Sequence, residues 1–480
     1  MMASFLWYDL ETFGTDPRRT RIAQFAAIRT DTELRPVGGP VEFFCRPADD
    51  LLPSPGATLV TGITPQMATQ RGLPEAEFIA RVHEELAQPG TCAVGYNSLR
   101  FDDEFIRHGL FRNFHDPYER EWRNGNSRWD LLDLMRLFHA LRPEGIVWPK
   151  REDGFTSFRL EHLSAANGIE HARAHDALAD VEALIALARV ARAAQPRLWD
   201  YALTLRDKRA AGKHVDVANQ VPLLHVSGRY PASRHCAALV LPITRHPQID
   251  SRVIAYDLDT DPADLLNEGA GRIADRLYTP AADLPEGVAR VPLKEIHLNK
   301  VPALVPLNYL REPDFQRLGI DIERCLAHAE QIRRSDGVAE KVRRVFDRPQ
   351  RDPADDVDAS LYDGFLPDAD RRLFPRIRAT PPDRLGTESF PFADARLVEL
   401  LFRYRARNWP DTLSAAERGR WDDYRRLRLE SDRGWSELDF TAYFETIGTL
   451  RVEHAGDARV TGLLDALEAW GRQIQASLRD

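Results

Sequence analysis

Residues 5–8 form an unbroken apolar run that stops at Asp9-Leu10-Glu11, so SFLWYDLET reads as a strand ending in acids. RIAQFAAIRTD and PVEFFCRPA follow as further strands, each bounded by turn residues. PEAEFIARVHEELAQ carries Phe78, Ile79, Val82 and Leu86 at helical spacing. TCAVGYNS reads as a short buried strand and FDDEFIRHGLFRNF as a helix. RWDLLDLMRLFHALRP reads as an amphipathic helix that Pro143 stops, and DALADVEALIALARVARAAQ as a long helix ending before Pro196. This alternation makes residues 1–196 an α/β region.

The pattern then changes. QPRLWDYALTLRDKRAA reads as a connector, after which short apolar runs separated by turns appear: PLLHVSGRY, AALVLPITRHP, RVIAYDLDT and VARVPLKEIHLNKVPAL. That spacing indicates a β-rich or mixed domain over roughly 200–345, closing in one helix, IERCLAHAEQIRRSDGVAEKVRRVFD. RPQRDPADDVDAS is polar and proline-rich and reads as a linker. Residues 350–480 are largely helical in pattern, and RYRARNW and YRRLRLES present basic helix faces.

A length of 480 residues fits roughly two to four domains. There is no run of eighteen apolar residues, so no membrane-spanning helix is expected. The start, MMASFLWYDLETFG, lacks the basic region of a secretory signal. Cys45, Cys92, Cys236 and Cys325 lack paired spacing, which fits a reducing cytoplasm better than a disulfide framework or a zinc site. The net charge of −9 does not decide for or against nucleic acid, because phosphate binding depends on local basic patches.

The candidate chemistry lies in scattered acids. Asp9 and Glu11 are two apart on a strand and therefore project to one face. Asp102 follows the buried strand at the start of a helix. In HDALAD, Asp176 is placed to cap the following helix, His175 precedes it, and Asp180 sits one turn inside. Each fragment alone matches an ordinary strand exit or helix start, and Asp103 fits the dipole-favoured helix acid better than Asp102 does. Together, four acids and a histidine make a kit for phosphodiester hydrolysis: hard oxygens hold divalent metal, and an imidazole takes a proton from water.

The order strand Asp-x-Glu, Phe-Asp, His-x(4)-Asp resembles the histidine-bearing branch of the DEDD exonuclease superfamily. DLETFGT, TGITPQ, NSRWDLLD, SFRLEHL, HDALADV, HVSG, VPLKEIHLNK, LYDGF and LLFRYRARN, in order along the chain, are similar to the bacterial exonuclease I family. The resemblance implies an RNase H-like exonuclease domain (1–196), an SH3-like α+β domain (197–349) and a helical C-terminal domain (350–480). It also implies processive 3′-to-5′ digestion of single-stranded DNA to 5′-mononucleotides, in DNA repair and recombination. Asp9, Glu11 and Asp180 would ligate two Mg²⁺ ions (Mn²⁺ substituting), with Asp102 completing the site and His175 deprotonating the water.

Single-stranded DNA is gripped by basic grooves and aromatic stacking. By the same resemblance Arg107, Tyr118, Trp122 and Arg136 correspond to DNA contacts, Arg159 to a residue near the scissile phosphate, and Lys208, Lys294, Asn299 and Lys300 to backbone contacts. Phe13 is suited to meet the terminal base, beside Glu11. The expected partners are DNA 3′ ends and the acidic tail of single-strand DNA-binding protein, with a monomeric, cytoplasmic enzyme. Extra domains that keep the strand captive would act by avidity, so a piece ending near residue 196 is expected to cleave but dissociate often. The alternatives are a DEDD nuclease trimming RNA or mismatched primer ends, and a non-catalytic single-strand-binding scaffold.

Overall fold

The computed structural model describes residues 3–170, 176–348, 352–431 and 433–479. Two compact units divide the chain, one comprising Met1–Ser127, His171–Glu182 and Arg351–Asp480, the other Arg128–Glu170 and Ala183–Gln350.

In the first unit β1 (Ser4–Thr12) pairs antiparallel with β2 (Ile22–Thr30) and parallel with β4 (Thr91–Gly95), while β3 (Val41–Phe44) borders β2. Leu6, Tyr8 and Leu10 of β1 are covered by Phe78, Ile79, Val82 and Leu86 from the helix Glu75–Ala87. Phe105, Ile106 and Leu110 of the helix Asp102–Arg112 complete that layer. The residues whose spacing predicted a helix are thus the ones that cover the sheet.

The C-terminal helices Arg396–Asn408, Ala415–Leu429, Phe440–Glu453 and Ala458–Ser477 belong to this same unit. Phe111 and Phe114 share an apolar cluster with Phe374, Leu400 and Tyr404, and Leu52 shares another with Leu429, Tyr443 and Leu464. A piece ending near residue 196 therefore leaves Phe111, Phe114 and Leu52 without these partners.

The Asp-rich stretch read as a linker is also different in its described part. Asp356 and Asp358 are buried at the short 3₁₀ turn Val357–Tyr362. Arg403 meets Asp356, and Arg407 meets both Asp358 and Asp50, the latter at 2.9 Å. Arg21 Nη2 donates to Asp358 at 3.3 Å, and Tyr424 Oη to the same carboxylate at 3.2 Å. Arg428, fully buried, reaches Asp356 at 3.4 Å. The basic faces of RYRARNW and YRRLRLES therefore turn several arginines inward. Burial alone would raise the Asp50 and Asp358 carboxyls, but the surrounding guanidiniums hold both below the usual carboxylate range. Arg21, desolvated and crowded by Arg112 and Arg407, is drawn down to about 10.

β5 (Ser127–Asp130) straddles the boundary between the units. RWD therefore extends as a strand and the helix begins later, at Leu131–Leu141, with Asp130 accepting the Leu132 amide at 3.0 Å. In the second unit the expected connector is helical, Pro196–Thr204 and Lys208–Lys213, because Trp199 is buried edge-on against Trp129 at 4.8 Å. Strands β6 (Leu223–Val226), β7 (Ala237–Arg245), β8 (Arg252–Asp257), β9 (Leu293–His297) and β10 (Ala303–Pro306) form an antiparallel sheet in the order β10-β6-β7-β8-β9. The helix expected to close this region is two, Ile322–Arg334 and Val338–Phe346, separated by Gly337 at φ 75°. All four cysteines are buried and free. Among the described residues no helix is long and apolar enough to cross a membrane.

Asp358→Asn strips a buried charge from its arginines and is expected to cost about 3–5 kcal/mol in denaturant unfolding. Because the Asp50 and Asp358 pKa values are depressed on folding, their stabilisation is present above the unfolded carboxylate value of about 3.9 and is lost as pH falls below it. The melting temperature should therefore fall more steeply below that pH in the wild type than in Asp358→Asn.

Candidate active site

β1 sets the first half of the site. Asp9 stands opposite Ala26 and Glu11 opposite Gln24, so both acids leave the strand on one face, and the register shifts immediately after Glu11. Glu11 is 8% exposed. The second half comes from the helix Ala177–Ala194, whose start is capped by Asp176 accepting the Ala179 amide at 3.1 Å. That cap directs Asp180, one turn in, toward β1. One carboxylate oxygen each from Asp9, Glu11 and Asp180 lie within 4.8 Å of one another. Asp102 opens the helix Asp102–Arg112, buried, and its charge bears on both β1 acids. His175 lies outside the described residues.

Burial, then repulsion from Asp102, Glu11 and Asp180, raises the Asp9 carboxyl well above its ordinary value. Burial, then Asp180, Asp102 and Asp176, pushes Glu11 up to about 8. Desolvation and like charge both act here against the ionised form of the two β1 acids. The donor set is all oxygen, hard and close-set, which fits a divalent cation.

A brace behind the site escaped the sequence reading. Asp103, expected as a dipole-favoured helix acid, is fully buried and accepts from Tyr8 Oη at 3.0 Å and from Arg120 at 2.6 Å. It thereby ties the Asp102 helix to the residue preceding Asp9. Burial, helped by Asp103, keeps the Tyr8 hydroxyl protonated, so it donates.

The remaining candidate residues of this unit differ in burial and partners. Phe13, expected to meet a terminal base, is 2% exposed and packs among Ala23, Phe44, Leu51, Ile63 and Ala68. Arg107, expected to meet DNA, is buried and pairs with Glu121 at 2.7 Å and Glu104 at 2.9 Å. Its guanidinium stands 5.5 Å from the Tyr118 ring centroid. Trp122 is 64% exposed. Two aromatics the sequence reading did not select, Tyr362 and Phe365 of LYDGF, are exposed here as well, with Phe365 edge-on to Tyr118 at 6.3 Å. The glycine in a polar stretch between two aromatics was the available signal.

In the second unit Arg136 pairs with Asp133 at 2.7 Å, and its guanidinium covers Gly228 so closely that a Cβ there would meet Cζ at 2.6 Å. The glycine of HVSG is therefore a close-approach position. Arg159 is exposed, 3.7 Å from Glu161. Lys208 is exposed at the start of its helix. Lys294 stands 5.5 Å from the Tyr230 ring centroid, and burial lowers its ammonium pKa. Asn299 offers its carbonyl to Arg128 at 3.1 Å, and Lys300 follows in the same turn.

Comparison with known proteins places this geometry. The family model described as "Exonuclease" matches residues 6–188, "Exonuclease I SH3-like domain" matches 206–348, and "Exonuclease I C-terminal domain" matches 355–474. Exodeoxyribonuclease I of Escherichia coli (strain K12) is 46% identical over 473 residues, covering 98% of this chain and 98% of that protein. The structure of a moderately thermophilic exonuclease I from Methylocaldum szegediense superposes with a TM-score of 0.94 at 50% identity, over 98% of this chain and 99% of that one. A zinc-bound complex of E. coli exonuclease I with single-stranded DNA gives a TM-score of 0.94 at 46% identity, over 99% of this chain and 100% of that one.

In chelator, the raised Glu11 carboxyl stabilises the fold while protonated; that contribution is full below about 4.3, the unfolded value, and is lost as pH rises toward the folded value of about 8. Glu11→Gln removes the titrating group. Its melting temperature should decline less than that of the wild type between those pH values.

Proposed function

The chain belongs to the exonuclease I family, and from that premise we propose that it is a processive exodeoxyribonuclease releasing 5′-mononucleotides from the 3′ end of single-stranded DNA. The observation that carries the reading is the convergence of Asp9, Glu11 and Asp180 within 4.8 Å, with Asp102 adjoining. Two Mg²⁺ ions, replaceable by Mn²⁺, would be held by these acids. When bound, they supply positive charge for the attacking and leaving oxygens of an in-line displacement. His175, immediately before the Asp176 cap, takes the proton from the attacking water.

The exonuclease domain spans 1–196, the SH3-like domain 197–349 and the helical domain 350–480. Arg159 holds the substrate near the scissile phosphate. Tyr118, Trp122, Tyr362 and Phe365 offer π-faces to bases without regard to sequence. Arg136, Lys208, Lys294, Asn299 and Lys300 supply backbone contacts. Arg107 reaches the strand only by exchanging its glutamates for phosphate. Phe13, buried in its apolar cluster, is not assigned a contact with the terminal base. The protein acts as a cytoplasmic monomer in repair and recombination, and takes the acidic tail of single-strand DNA-binding protein. Arg403, Arg407 and Arg428 are spent on buried pairs and do not serve that tail.

End-labelled single-stranded DNA, RNA and duplex are incubated with Mg²⁺, with and without chelator. The expected result is metal-dependent shortening of single-stranded DNA from its 3′ end; preference for RNA, or chelator-resistant cleavage, overturns the reading. Asp180→Asn should lower turnover by about 10²-fold or more. His175→Ala should lower it by about 10²–10⁴-fold while leaving DNA binding intact.

A further inference from the structure

We propose that Glu437 is a positioning residue for the acid-bearing strand, its carboxylate fixing the turn that follows Glu11. The inference rests on the nuclease reading of Asp9 and Glu11 given above.

The ladder between β1 and β2 breaks just where the chemistry sits. Glu11 stands opposite Gln24 but Thr12 opposite Ile22, so the regular pairing that holds Asp9 does not extend past Glu11. Irregularities of this kind re-aim a side chain and leave its direction to the adjoining turn. Thr12 Oγ1 donates to the Gly14 carbonyl at 2.6 Å, Phe13 N to Arg21 O at 3.0 Å, and Ser54 N to Phe13 O at 2.6 Å.

Beyond Phe13 the turn is taken up by Glu437, from the segment leading into the helix Phe440–Glu453. Thr15 N donates to both of its oxygens at 3.0 Å, and Thr15 Oγ1 to Oε1 at 2.8 Å. Hydrogen bonds to an ionised acceptor are the stronger class. The other end of the same loop is held by Arg428, whose Nη2 donates to Arg19 O at 2.5 Å.

Gly14 is the second, independent sign. A Cβ at that position would stand 2.1 Å from Glu437 Oε2, and its three nearest atoms all belong to Glu437. The φ of Gly14 is not in the left-handed region, so its backbone does not itself demand glycine. The missing side chain makes room for the carboxylate. If the turn is released, Glu11 drifts relative to Asp180, and displacements of about 1 Å at a reacting centre cost on the order of 10²-fold in rate.

The test uses the full chain with Mg²⁺ and single-stranded DNA, alongside melting temperature and DNA affinity in chelator. Glu437→Ala should lower kcat by about 10-fold, raise the Mg²⁺ concentration for half-maximal rate, and leave KM and chelator-measured affinity unchanged. Glu437→Gln keeps one acceptor for Thr15 N and should recover part of the rate. Gly14→Ala should lower kcat in the wild type but cause no further loss in Glu437→Ala, where the colliding carboxylate is gone. The proposal is overturned by an unchanged kcat in Glu437→Ala, by a lowered melting temperature with unchanged kcat per folded molecule, or by a Gly14→Ala defect that persists without Glu437. A wild type without nuclease activity overturns the nuclease reading and this role with it. Failure of the clamp alone leaves wild-type turnover and the Asp180→Asn defect in place.

Discussion

Carboxylates pressed together and drawn out of water repel one another, and the first unit is built to hold them there. Asp9 and Glu11 are carried by a strand paired with β2 along its length and with β4 over Ser4–Trp7, Asp180 by a capped helix, and Asp102 by a helix braced through Asp103, Tyr8 and Arg120. Close-set carboxylate oxygens of this kind suit a hard divalent cation.

The same unit holds a second charge cluster with the opposite logic. Around Asp50, Asp356 and Asp358 the acids are met by Arg21, Arg403, Arg407 and Arg428. There the charges are compensated within the chain, and the cluster joins the segments after β1 and β3 to the C-terminal helices. In the first cluster neighbouring acids raise the carboxyls, and in the second neighbouring guanidiniums lower them. The C-terminal segment is accordingly part of the catalytic unit's architecture, which is also where Glu437 meets the turn after Glu11.

Much of this was legible in the sequence because it is local. Period-two projection put Asp9 and Glu11 on one face, helical spacing identified Phe78, Ile79, Val82 and Leu86 as a buried face, and the cap at Asp176 announced the helix carrying Asp180. What was not legible is long-range. Asp356 and Asp358 sit in a stretch whose composition is that of a solvated linker, and it is arginines some fifty and seventy residues onward, with Arg21 far upstream, that make them buried ions. Arg403, Arg407 and Arg428 look like a basic surface for the same reason. Trp199 was the one warning that the supposed connector had a core to join. Asp103 and Glu437 carry no local signal of their roles, since their partners are fixed by the fold.

The most direct test is anomalous diffraction from crystals grown with Mn²⁺ and a short single-stranded oligonucleotide. The account requires anomalous peaks coordinated by Asp9, Glu11 and Asp180, between the protein and the phosphate nearest the DNA 3′ end. Peaks confined to other carboxylates, or an oligonucleotide seated with its 3′ end away from these three side chains, would contradict it.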